Sequence, residues 1–275
     1  MESESTPEGV SLLRATQLLI RRTELTTGRR IRIDTARSLS GHVRAVYAVS
    51  ESDNHTDVIR VAPAERDHID HLIAHELGHV RQLAAAPFDE RTVPVVSPRV
   101  RLNAGHLLSR ELRALMDRGL PSMLIPPMMI DWTYSMVSQL ADTPPDIAIE
   151  RSIWFEEPDL RVAQETSLRG QVEKIQRVVA PAGRSLLPPT VSRSHAAMSY
   201  AFARSVSDML SDPSLFAPFR GTPAETAGEA LLDIYRAQSP GSLGDFRRVS
   251  HGWEATLGLQ GLLEFRPVAQ VRPPR

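Results

Sequence analysis

Apolar residues between Ala64 and Ala86 (AERDHIDHLIAHELGHVRQLAAA) fall at Ile69, Leu72, Ile73, Leu77, Val80, Leu83 and Ala84. These steps of three and four predict a helix with one buried face. Pro63 suits the start of that helix, and Pro87 forces its end. His68, His71, His75 and His79 follow the same steps and form a stripe beside the apolar face. Upstream, Val43 to Ser50 (VRAVYAVS) and Thr56 to Ala62 (TDVIRVA) are rich in β-formers. Ser52, Asp53 and Asn54 between them are turn material, so a hairpin is expected to lead into the helix.

The rest of the chain reads as helices with proline-rich joints. An opening helix is expected from about Pro7 to Thr23, and another from Arg99 to Asp117. Further ones are expected at Ile147 to Glu156, Pro158 to Val179, Ser192 to Leu210, Ala224 to Ala237 and Gly244 to Leu257. Pro87 to Pro98, Ala180 to Thr190 and Ser211 to Pro223 read as loops. The fold class is therefore α+β: a small N-terminal sheet packed on the histidine-bearing helix, then a mostly α-helical C-terminal region. Three segments are expected: 1–90 with hairpin and motif helix, 91–266 as a helical part supplying a further metal ligand, and 267–275 as a loose tail.

Composition narrows the possibilities. An apolar content of 41% with 24% charged residues describes an ordinary globular chain of 275 residues. A net charge of −1 argues against nucleic acid as the main partner, since phosphate recognition needs a basic excess. Lys174 is the only lysine among 32 basic residues, a bias that GC-rich coding produces without any functional array of arginines. The absence of cysteine removes disulfides, thiolate metal sites and cysteine nucleophiles. MESESTPEGV lacks the features of a signal peptide, and Leu120 to Leu140 is interrupted by Pro121, Pro126, Pro127 and Asp131. No membrane association and a cytoplasmic location are therefore expected.

The candidate chemistry lies in His75-Glu76-Leu77-Gly78-His79, an HExxH pattern. Residues i and i+4 lie one turn apart on the same helix face, so both imidazoles can reach one ion, with Glu76 placed as a general base toward a water on it. Gly78 costs the helix about 1 kcal/mol relative to alanine, which makes sense if something must pack closely there.

With the hairpin before it, the segment from Arg30 to Pro87 resembles the zincin metallopeptidases. That resemblance implies a zinc-dependent hydrolase acting on a protein or peptide substrate. It also implies that the last strand before the helix is the sheet edge, where an extended substrate can add itself as a further strand. A catalytic zinc takes three protein ligands and a water. The metzincin continuation would need glycine and histidine where Gln82 and Ala85 stand, and Val96 to Val100 offers no carboxylate of the thermolysin type. Pro144 to Glu150 (PPDIAIE) reads as a helix start whose Asp146 and Glu150 share a face. One carboxylate would bind the metal and the other orient a histidine.

The M48-like branch of the gluzincins places Glu-x-x-x-Asp at such a position, whereas this chain has the reverse order. Glu150 is taken as the provisional third ligand, with Asp146, Glu111 and His106 in reserve. The ImmA/IrrE group also carries an HELGH-type helix, but its glutamate helix with a following Phe-Ala pair is not clearly present. His195, Tyr134, Tyr200 and His251 are the groups available to stabilise an oxyanion. The alternative is a zincin-fold regulatory or binding protein acting through partner contacts with little or no proteolysis.

Overall fold

The computed structural model describes residues 12–35, 44–49, 53, 55–179 and 187–271. The expected start of the opening helix at 7–11, strand residues Val43 and Ser50, turn residues Ser52 and Asn54, most of the joint at 180–190 and the tail beyond 271 lie outside them. The fold is α+β: a small N-terminal sheet of three strands is followed by a mostly helical region. Two compact units are distinguished. One comprises Met1–Arg91, Ile149–Leu168 and Pro267–Arg275; the other comprises Thr92–Ala148 and Arg169–Arg266.

In the first unit, α1 (Arg14–Thr27) ends at Gly28, whose positive φ of 67° closes the helix through its N–H to the Glu24 carbonyl. The helix starts later than its apolar residues suggest, because Leu13 is extended. Three strands follow: β1 (Arg30–Thr35), β2 (Ala45–Tyr47) and β3 (Thr56–Val61). β2 and β3 pair antiparallel, with Tyr47 opposite Ile59, as a hairpin requires. β1 pairs parallel with β3 on its other side, with Ile33 opposite Ile59.

The sheet order β1-β3-β2 overturns the expectation that the last strand before the motif helix is an edge. Arg30 to Asp34 alternates polar and apolar residues, which suits a strand with one face for the core, and β1 pairs with the flank of β3 that β2 leaves open. Flanked on both sides, β3 is the most buried of the three: Val58, Ile59 and Val61 are each nearly inaccessible to solvent.

A short 3-10 turn (Pro63–His68) leads into α2 (Ile69–Ala85), which carries the HExxH residues and lies against β2 and β3. Asp70 in its first turn accepts the Leu13 N–H at 2.8 Å and the Thr16 hydroxyl, so α2 caps the start of α1. α2 ends at Ala86, held extended by the following Pro87, and the Arg91 guanidinium donates to the carbonyls of Ala84 and Ala86 at 3.0 Å each. Ile59, Ile69, Ile73 and Leu77 share a core with Ile149, Ile153 and Leu160.

Beyond Arg91 come β4 (Thr92–Pro94), α3 (Pro98–Asp117), α4 (Ile125–Glu156), α5 (Arg161–Val179), α6 (Pro189–Leu210), α7 (Pro223–Gln238), α8 (Leu243–Thr256) and β5 (Phe265–Pro267), the last paired with β4. Two expectations are corrected here. The segment from Pro87 to Pro98 is not all loop, since it contributes β4. The helix expected to begin at Ile147 is the last third of α4, a single 32-residue helix that runs through Pro144 and Pro145. Two prolines remove two helical N–H donors, a penalty that sequence reading takes as a stop. The penalty is outweighed by burial of Met136, Val137, Leu140, Ile147, Ile149 and Ile153 along the helix. Among the described residues, no helix is long and apolar enough to cross a membrane.

Candidate metal centre

One turn of α2 and one turn of α4 carry the site. On α2, His75 and His79 lie four residues apart, and their Nε2 atoms are 3.2 Å from one another. Two nitrogens bound tetrahedrally to zinc at its usual bond length would be ~3.3 Å apart, so the imidazoles already have the spacing of a shared ion. The close approach of α4 depends on Gly78. A Cβ there would stand 2.6 Å from Cγ2 and 2.9 Å from Cγ1 of Ile149. The glycine cost noted in the sequence therefore has its cause in helix packing.

Asp146, half-buried on α4, is the third member of the group: a ligand atom from each of His75, His79 and Asp146 lies within 4.8 Å of the others. Two imidazoles and a carboxylate form a His-His-Asp set able to hold a metal ion, with room in a tetrahedron for one water. The donors are of the borderline kind that suits zinc and its first-row neighbours.

Glu150, the provisional ligand, is placed differently. Its carboxylate is 3% exposed and its oxygens are already engaged. Oε1 lies 2.8 Å from His75 Nδ1 and 3.1 Å from His71 Nε2, while Oε2 lies 2.9 Å from His71 Nε2 and accepts from Gln164 Nε2 at 2.6 Å. A carboxylate has about four lone-pair positions, and these contacts fill them. The group able to hold an ion is thus His75, His79 and Asp146, and Glu150 stands behind His75. With the His75 proton on Nδ1 and donated to Glu150, Nε2 of that ring presents its lone pair. Burial works to raise the Glu150 pKa, but His71, by charge and hydrogen bond, together with His75 outweighs it and holds the carboxylate below its ordinary range.

Glu76 is buried on α2 at 7% exposure. The other reserves lie outside the group. Glu111 accepts the Thr190 N–H at 3.0 and 3.1 Å and its hydroxyl at 2.7 Å, capping the start of α6, and His106 is exposed. Of the oxyanion candidates, Tyr200 donates to Glu229, His251 Nδ1 lies 3.0 Å from Glu254, His195 Nε2 lies 3.3 Å from the Ser135 hydroxyl, and Tyr134 is half exposed.

Two residues of this network were not singled out from the sequence. His71 belongs to the histidine stripe, and its place four residues before His75 was the available signal. Gln164 sits on α5, fourteen residues after Glu150, and only the turn between α4 and α5 brings it there. No family model, curated protein or solved structure matches the chain.

Proposed function

We propose that this chain is a zinc-dependent hydrolase of the HExxH kind and that its substrate is a peptide bond. The observation that carries the reading is the convergence of the His75 and His79 Nε2 atoms at 3.2 Å, with Asp146 in the same small group. A divalent ion held there would polarise a carbonyl and make water acidic enough to attack at neutral pH. Asp146 supplies the negative charge that a pair of neutral imidazoles lacks. Glu150 keeps His75 in the tautomer whose lone pair faces the group. Glu76, adjacent to His75 in the motif, takes the proton of the attacking water and delivers it to the leaving amine. The small mixed sheet on which α2 rests has β1 and β2 as its outer strands. An outer strand is where an extended peptide would pair.

The test is metal analysis combined with two variants. The wild type purified without added zinc is expected to carry about one zinc per chain and to cleave an unstructured protein such as casein. Glu76→Gln should keep the zinc and lose activity by a factor of at least ~10³. Asp146→Asn should lose zinc affinity itself. A chain that takes up no transition metal at micromolar concentrations would end the proposal. Full zinc loading with no turnover on any peptide would favour the regulatory or binding alternative.

A further inference from the structure

We propose that His71 is a positioning residue of the metal centre: it holds the Glu150 carboxylate in the one orientation that fixes the ring of His75. The inference rests on the metal-binding reading above and extends it by one residue that the HExxH motif does not contain.

His71 is 1% exposed on a face of α2 whose neighbours Leu72, Ile73 and Leu77 belong to the apolar core. A leucine or phenylalanine there would bury the same volume without a polar cost, so an imidazole needs a reason. Its Nε2 lies 3.1 and 2.9 Å from the two oxygens of Glu150, and its Nδ1 is buried with no hydrogen-bond partner among the described residues. The ring therefore spends its one effective polar contact on Glu150.

The geometry shows why that contact matters. Gln164 Nε2 donates to Oε2 of Glu150 and, at 2.8 Å, to its main-chain carbonyl. Gln164 thus anchors one oxygen and leaves the terminal torsion of the side chain able to turn. His71 spans both oxygens and sets the plane of the carboxylate. Only then does Oε1 stand 2.8 Å from His75 Nδ1. A carboxylate so placed selects the Nδ1–H tautomer of His75, turns its Nε2 lone pair toward His79 and raises its basicity as a ligand. Without His71, Glu150 would sample orientations that leave Nδ1 unpaired, and His75 would lose both its fixed ring angle and its single tautomer.

The experiment uses the full-length chain. Its readouts are zinc affinity, by competition with a chromophoric chelator, and the tautomers of the histidine rings, by long-range nitrogen–proton NMR. In the wild type, His75 should carry its proton on Nδ1. His71→Phe keeps the ring volume and removes the donor. It should weaken zinc binding about 10–100-fold and convert His75 to a mixture of tautomers, with an unchanged circular dichroism spectrum. His71→Gln restores a donor and should recover most of the affinity.

A folded His71→Phe variant with wild-type zinc affinity and an unchanged His75 tautomer would reduce His71 to core packing. Should that variant fail to fold, the wild-type spectrum still decides, because His75 protonated on Nε2 is incompatible with the proposed clamp. A wild type that binds no zinc removes the proposed function together with this inference, whereas equal affinity in wild type and His71→Phe removes the inference alone.

Discussion

Gly78 illustrates how a local preference is reversed by one contact. In an isolated helix, Gly78→Ala would stabilise by about 1 kcal/mol. Here the new methyl group would meet two Ile149 carbons at 2.6 and 2.9 Å, with Glu150 the next residue along α4. Overpacking of a filled site costs about 1–3 kcal/mol and offsets that gain, so the variant is expected to be less stable than wild type by up to about 2 kcal/mol in urea unfolding. It should also bind zinc more weakly, because the residue that is displaced precedes the carboxylate behind His75. The double variant Gly78→Ala/Ile149→Ala should be more stable than the sum of the two single changes predicts. Additive losses would show that the methyl group is accommodated elsewhere.

At the scale of elements, the sheet is tied together by Asp57 on β3. Its carboxylate is 1% exposed and accepts from both Nε and Nη2 of Arg29 at 2.8 Å and from the Tyr47 hydroxyl at 2.7 Å. One residue near the start of β3 thus joins the approach to β1 and the end of β2. The hydrogen bond to Asp57 raises the already high pKa of Arg29, so the guanidinium stays charged at any accessible pH. Asp57→Ala strands that cation and should cost about 3 kcal/mol. Tyr47→Phe removes one neutral donor and should cost nearer 1 kcal/mol. A loss under about 1 kcal/mol for Asp57→Ala would mean that Arg29 finds adequate solvent where it stands. Because α2 lies on β2 and β3, the same change should make zinc release faster.

At the scale of the whole molecule, acid sensitivity has a named contributor. Burial lowers the His195 pKa to about 4, against about 6.5 for a free histidine. Below pH 6.5 the unfolded chain takes up a proton at this position that the folded chain refuses until about pH 4. The associated stability is complete above pH 6.5 and is lost as the pH falls from 6.5 to 4. Unfolding measured at pH 7.5 and pH 4.5 should differ by about 2 kcal/mol less in His195→Gln than in wild type, after allowance for solvent near a half-buried ring. Asp212 acts in a separate window. The hydroxyl of Ser214 and the guanidinium of Arg169 hold its pKa at about 2, so its contribution fades only below pH 4. An identical pH slope in wild type and His195→Gln would exclude the histidine as a source of acid lability.

What could be read from the amino-acid order was whatever is periodic or local. The stripe of Ile69, Ile73, Leu77 and Val80 defined the motif helix, the β-formers on either side of Asp53 defined the hairpin, and i,i+4 spacing alone places His75 and His79 on one face. The same spacing put Asp146 and Glu150 on a common face of a later helix, but it could not rank them. The surroundings of Glu150 are set by His71 and Gln164, residues 79 positions before it and 14 after it. The central place of β3 likewise follows from parallel pairing with β1 across some twenty intervening residues, a contact that no local pattern encodes. The passage of α4 through two prolines is decided by apolar burial contributed from elsewhere in the fold. Spacing along a chain specifies which side chains share a face. Only tertiary packing specifies which partners those side chains meet.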